Sequence, residues 1–386
     1  MQHAFSERMK YIGPNIIREI AARAKPSTTR FDMGDHSYNP PRHVSNGMKV
    51  AIDAGKTKYC SAAGLQDLRE AIAGRYTKLL EREITFKNVA VTAGSEAALF
   101  SSVLANVNKG DRVLLPNPGF PNYEPIIRFA EGVPVPINLV GEDFSLDLPK
   151  LEETVKSVKP KMAILNWPNN PTGSTIDQRI AEETIGMLVK NNVIPVSDEV
   201  YEKIIYEGKH VPLGRYSEKV RTVNSFSKTY AMTGLRVGYY IGPDEKDVDV
   251  ISRIQNIESA CPNTPGQWGA LATFEKPDES KRYVDDMVEE FRKRRNALVE
   301  ELNSLTGVQC RTPPATFYVF PNIGGTGMSD KELSDFLIEN ANITTVPGTA
   351  FGANGLNHLR LSYSITTVEQ IKQAGEKMRT SMKSAC

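Results

Sequence analysis

Apolar positions in the middle of the chain come in two alternating rhythms. Short runs at Asn88–Val91, Asp111–Leu115, Met162–Asn166, Val193–Ser197, Arg221–Ser225 and Arg236–Ile241 have the length and continuity of buried strands. Longer stretches at Leu65–Leu80, Ser95–Asn108 and Asp177–Lys190 carry the three-to-four spacing of amphipathic helices. Alternation of the two predicts an α/β unit on a mostly parallel, mixed sheet flanked by helices. Its expected limits are residues 45–275.

Beyond these the rhythm changes. Ser280–Leu305 reads as one long charged helix, followed by a short strand at Thr316–Phe320, a helix over Lys331–Asn340, and strands near Ile343 and His358. This predicts a smaller α+β unit, residues 276–386, against which residues 1–44 pack with a helix at Asn15–Ala24 and a turn at Asn39-Pro40-Pro41.

Composition narrows the function classes. The chain has 386 residues, 40% hydrophobic and 24% charged, with a formal net charge of +1. No global field recruits nucleic acid or a membrane surface, so any anion must be held by a local site. Cys60, Cys261, Cys310 and Cys386 are far apart, without CxxC spacing, which predicts free thiols and no zinc site or disulfide framework. The N-terminal segment lacks an apolar signal core, and no run of about 18 apolar residues exists to span a membrane. A cytoplasmic protein is expected.

Four segments at predicted strand ends, where open α/β sheets bind ligands, carry the candidate chemistry. In VTAGSEAAL, Gly94 permits a tight turn, and Ser95 can cap the following helix or, with the amides up to Glu96, bind an anion. WPNNPTG, residues 167–173, is a rigid turn whose asparagines serve either structure or a ligand. In SDEVY, Asp198 and Tyr201 can address one ligand, although acidic strand ends are common. In NSFSKTYAMTGLR, residues 224–236, Lys228 sits among small and apolar residues, where burial and a nearby cation lower an amine's pKa toward that of a Schiff-base lysine.

Taken together, SFSKTYAMTGLRVGY, WPNNPTG and SDEVY resemble the markers of the class I and II, fold-type I aminotransferases, which use pyridoxal phosphate (PLP). The similarity runs from YCSAAGL, residues 59–65, to HLRLSY, residues 358–363, and is greatest to the aspartate aminotransferase-like subgroup. By that resemblance Lys228 carries the cofactor as a Schiff base, Asp198 pairs with the ring nitrogen, and Asn170 and Tyr201 bond the ring oxygen. The amides of Gly94–Glu96, with Ser95, Ser225, Ser227 and Arg236, hold the phosphate. Arg236 as a structural ion pair is the alternative. Phe120, in PGFPNY, stacks on the ring or is a core aromatic at a turn. Tyr59 reaches the phosphate of a neighbouring subunit, implying a homodimer.

Arg360 is implied to fork onto the substrate's α-carboxylate, with a strand-edge salt bridge as the alternative. Gly34 and Asn170 approach the same carboxylate. Two features depart from the family's pattern. Gly34-Asp35-His36 replaces a frequent Gly-Glu-Pro-Asp, and Glu96 puts a carboxylate beside the phosphate site, where its side chain is expected to turn away. The implied activity is two ping-pong half-reactions between an L-amino acid, aspartate-type or broad, and a 2-oxo acid such as 2-oxoglutarate. A carbon–sulfur β-lyase would use the same residues. A non-catalytic PLP-binding regulatory module would need a DNA-binding segment, for which the short stretch ahead of the core leaves no room.

Overall fold

A computed structural model describes residues 5–383; Cys386 and the first four residues of the N-terminal segment lie outside them. Eight strands form the large sheet: β1 (Val89–Thr92), β2 (Arg112–Asn117), β3 (Val133–Val140), β4 (Ser145–Leu146), β5 (Met162–Asn166), β6 (Ile194–Asp198), β7 (Arg221–Ser225) and β8 (Gly238–Ile241). Their spatial order is β1-β8-β7-β6-β5-β2-β3-β4. From β7 through β3 every pair is parallel, while β8 runs antiparallel to both β1 and β7, and β4 antiparallel to β3.

The central strands are buried at nearly every position because helices cover both faces. Helix Gln178–Lys190 shows how the covering is built. Asp177 caps it, its carboxylate accepting from the Arg179 and Ile180 amides, and Ala181, Ile185 and Leu188 press into the sheet.

The strand at 133–140 was not among those expected. Pro134 and Pro136 interrupt its donor row, and prolines argue against a strand in sequence. They are accommodated because the outer side of β3 is paired only at Leu139 and Val140, leaving its first half an edge.

In the C-terminal part, the long helix spans Pro277–Asn303. A three-stranded antiparallel sheet places Leu359–Ser362 between Tyr318–Val319 and Val346–Pro347. Thr29–Arg30 pairs parallel with Ile343–Thr344, tying the N-terminal segment to this part. The helix expected over Lys331–Asn340 ends at Phe336 and continues as a π turn through Ala341. One apolar cluster joins Phe31, Met287, Phe291, Phe317 and Tyr363 with Tyr201 and Ile204, so the chain leaving β6 buries its aromatics in the C-terminal core.

Candidate active site

A cavity of about 240 Å³ opens at the carboxyl ends of β1, β2, β5, β6 and β7. Ser95, Glu96, Phe120, Tyr123, Asn166, Asn170, Asp198, Tyr201, Ser227, Lys228 and Arg236 line it from the sheet. Gly34, Ile17, Tyr318 and Arg360 close it from the N- and C-terminal parts.

At one end lies an anion cradle. Helix Ser95–Asn106 begins directly after β1, and its cap is Gly94 rather than the expected Ser95. Gly94 has φ +86°, and a Cβ there would lie 2.6 Å from Nη2 of Arg236, so glycine alone allows the guanidinium to close on the helix start. Arg236 donates to the carbonyls of Thr233 (2.9 Å) and Ala93 (3.4 Å) and makes no ion pair among the described residues, which sets aside the structural ion-pair alternative. The start of that helix, the Arg236 guanidinium, which no carboxylate among the described residues neutralises, and Ser227 thus line the same end of the cavity. Ser225 does not reach the cavity; it is buried behind Ser227, whose amide donates to its Oγ at 3.3 Å.

Glu96 lies at the cavity's edge: the residue is exposed, its carboxylate accepts from Nδ2 of Asn122, and its charge acts on both Lys228 and Asp198.

In the middle, Asp198 ends β6. Tyr123 donates to its Oδ2 at 2.8 Å and the Val200 amide to its Oδ1 at 3.3 Å. Burial pushes the carboxyl up to about 6 against those two bonds, and the charges of Glu199 and Glu96 add to the rise. Glu199 and Glu202, behind the site, are engaged by His210 (2.9 Å) and Arg75 (2.6 Å). Asn166 binds the 167–173 turn to the strand end: its Nδ2 donates to Asp198 O and its Oδ1 accepts from the Asn170 amide, both at 3.0 Å. Asn170 Oδ1 is buried without a partner.

Lys228 faces this middle from the loop after β7. Burial pushes its amine down to about 8; the charge of Asp35 opposes the shift, and Arg360 and Arg236 reinforce it. Its Nζ donates to Gly34 O at 2.5 Å.

At the far end Arg360 is only 2% exposed. Its guanidinium lies 4.7 Å over the Tyr318 ring and 5.1 Å over Phe351, and donates to Asp32 O, while its Nε is buried without a partner. Leu359–Ser362 is the central strand of its sheet, and Arg360 makes no ion pair among the described residues, so the edge salt bridge does not exist. Tyr318 and Tyr201 share a 2.9 Å hydroxyl contact. Gly34 makes room for this: a Cβ there would fall 2.1 Å from the Tyr318 hydroxyl.

Two expected residues need more than one chain or a ligand to be placed. Tyr59 is 86% exposed and away from the cavity, and Phe120 lines it with its ring 5.5 Å from that of Tyr123. Tyr123, Tyr318 and Asn166 were missed in the sequence. Tyr123 stands at the end of PGFPNY, a signal that could have been used, but Tyr318 lies within an apolar run that reads as core.

A group that fits this cavity is planar and carries an anion at one end, a ring nitrogen at Asp198 and a carbonyl at Lys228. The unpartnered Asn170 Oδ1, the glycine-cleared cradle and the depressed lysine all suit pyridoxal phosphate.

Comparison with known proteins agrees. Residues 28–378 match the family model "Aminotransferase class I and II". The chain is 38% identical to the "Probable aspartate aminotransferase" of Methanocaldococcus jannaschii, over 96% of this chain and 97% of that protein. It is 33% identical to the aspartate aminotransferase of Pyrococcus horikoshii, over 99% and 98%. Among solved structures, aspartate aminotransferase from Thermus thermophilus with maleate superposes with a TM-score of 0.93 at 30% identity, covering 98% of this chain and 100% of that one. The chain belongs to the class I and II aminotransferases. It is an enzyme of amino-group transfer, in a family that depends on pyridoxal phosphate.

Proposed function

We propose that the chain moves an amino group from an L-amino acid to a 2-oxo acid in two half-reactions, with pyridoxal phosphate held at Lys228. The observation that carries this reading is the position of Lys228, a half-buried amine with a depressed pKa between an anion cradle and a buried arginine. Bound there, the cofactor supplies an aldehyde for the amino group and a ring that takes up the electron pair left at Cα.

The chain's own residues do the rest. Arg236, Ser227 and the amides at Ser95 and Glu96 neutralise the phosphate. Asp198, held by Tyr123, keeps a negative charge opposite the ring nitrogen. Asn170 and Tyr201 would hold the ring oxygen, and Phe120 would cover a face. Arg360 fixes the α-carboxylate through its Nε edge, aligning the Cα–H bond with Lys228. Burial holds the Lys228 amine down to about 8, so its neutral form would be available to carry that proton. Every amino acid and 2-oxo acid brings the same carboxylate, so one grip serves donor and acceptor, 2-oxoglutarate included.

A homodimer and the unit boundaries 45–275 and 1–44 with 276–386 belong to the same reading. Exposed Tyr59, Val50 and Ile257 support the first, and the pairing of Thr29–Arg30 with Ile343–Thr344 the second. The unbridged thiols of Cys60, Cys261 and Cys310 suit a reducing cytoplasm.

The test is glutamate formation from 2-oxoglutarate across a panel of amino acids. Lys228→Ala should abolish it and the cofactor's imine absorbance together. Wild-type turnover in that variant, or pyruvate from cystathionine without glutamate formation, would overturn the reading.

A further inference from the structure

The segment Gly34-Asp35-His36 is where this chain departs from its family's pattern, and it lies against Lys228. Besides the contact from Lys228 Nζ to Gly34 O at 2.5 Å, Asp35 Oδ1 accepts from Thr233 Oγ1 at 2.7 Å and from the His36 amide at 2.9 Å. Thr233 stands on the same loop as Lys228 and lines the same cavity. The carboxylate is therefore pinned between its own segment and the lysine's loop, and cannot swing out to water as a free surface aspartate would.

The other groups facing the amine leave Asp35 with a distinct part. Arg360 from the C-terminal sheet and Arg236 from the cradle disfavour the ammonium form, as burial does. Glu96 at the helix start favours it, but less than Asp35, the largest charge acting on the lysine. His36 adds no charge: its ring nitrogens are buried without partners, and burial pushes its pKa down to about 3. Burial likewise holds the Tyr201 and Tyr318 hydroxyls above the usual tyrosine range, so they too are neutral. The ring of Phe317 lies 5.7 Å from Nζ. Burial alone would raise the Asp35 carboxyl, but the bonds from Thr233 and His36 and the charge of Lys228 outweigh it and keep the group ionised.

We propose that Asp35 is a positioning residue for Lys228: clamped by Thr233, it holds a fixed negative charge beside the amine and sets how readily that amine gives up its proton. The catalytic consequence rests on the proposed role of Lys228, but the test does not, because it uses the cofactor-free protein. Trace acetylation of that protein across a pH series, read at the Lys228 peptide by mass spectrometry, gives the amine's midpoint. Asp35→Asn should lower the midpoint by about one unit, with roughly tenfold more neutral amine at a given acid pH. Thr233→Val, which frees the carboxylate without removing it, should move it the same way by less. A wild-type midpoint in Asp35→Asn overturns the proposal, and a wild-type midpoint in Thr233→Val overturns the clamp. Should Asp35→Asn fail to fold, Thr233→Val decides with the same two outcomes. Failure of the transaminase reading would show differently, as turnover that survives Lys228→Ala while these midpoints still shift.

Discussion

Removing one hydroxyl, in Tyr123→Phe, should change the charge of Asp198. Tyr123 is fully buried, and its hydroxyl donates to Asp198 Oδ2 at 2.8 Å. A hydrogen bond to a charged group contributes about 1.5–3 kcal/mol, and one pKa unit corresponds to about 1.4 kcal/mol. Without the bond the carboxyl should therefore rise by about one to two units from its value of about 6. At pH 7 the group passes from mostly ionised to about half protonated or more. The stability consequence has a definite sign. A carboxyl raised by burial binds its proton more tightly folded than unfolded, so stability falls as pH climbs from the unfolded pKa through the folded one and is level above it. In the variant that fall continues further. The stability difference between wild type and variant should be nearly constant below pH 6 and widen by about 1.5–3 kcal/mol by pH 8. Urea unfolding of the cofactor-free protein at a pH series, at one protein concentration, measures this directly. A difference independent of pH from 5 to 8 would refute the coupling of Tyr123 to Asp198. In the loaded enzyme the same variant should show an acid limb of kcat/KM moved to higher pH.

Arg360→Lys replaces a two-pronged donor with a point charge and should raise KM roughly 10- to 100-fold for every amino acid donor, with a smaller change in kcat. Initial rates over several donors check this, and an unchanged KM throughout would remove the carboxylate role. Arg236→Gln should weaken pyridoxal phosphate binding by roughly 10- to 100-fold, read by fluorescence titration of the cofactor-free protein; retained affinity would place the phosphate elsewhere. Gly34→Ala drives a Cβ into the Tyr318 hydroxyl and should cost about 1–3 kcal/mol, lowering Tm in calorimetry.

The strands that position the site were legible because both of their faces are buried, and an unbroken apolar run records that directly. All six expected runs match β1, β2, β5, β6, β7 and β8 to within two residues at each end; the run placed from Arg236 starts at Gly238 because Arg236 is in the left-handed region and belongs to the cradle instead. Strand β3 was hidden by its prolines. In the site, groups with charge or reactive chemistry were readable in place: Lys228, Asp198, Arg236 and Arg360 all reach one cavity. Aromatic hydroxyls were not. Tyr123 and Tyr318 are as buried as any core residue, and only three-dimensional neighbours show that their oxygens are aimed at Asp198 and at Tyr201. Ser225 is a further case, a hydroxyl beside the lysine in sequence whose visible partner is the Ser227 amide, from which its Oγ accepts.

The guanidinium of Arg360 rests on the Tyr318 ring, and the Tyr318 hydroxyl meets that of Tyr201 at 2.9 Å. Tyr318 thus joins the seat of Arg360 to the Tyr201 phenol, and both tyrosines are embedded in the cluster around Phe317 and Phe291. Because the two contacts share one side chain, Tyr318→Ala would take away the aromatic seat of Arg360 and the hydroxyl partner of Tyr201 together.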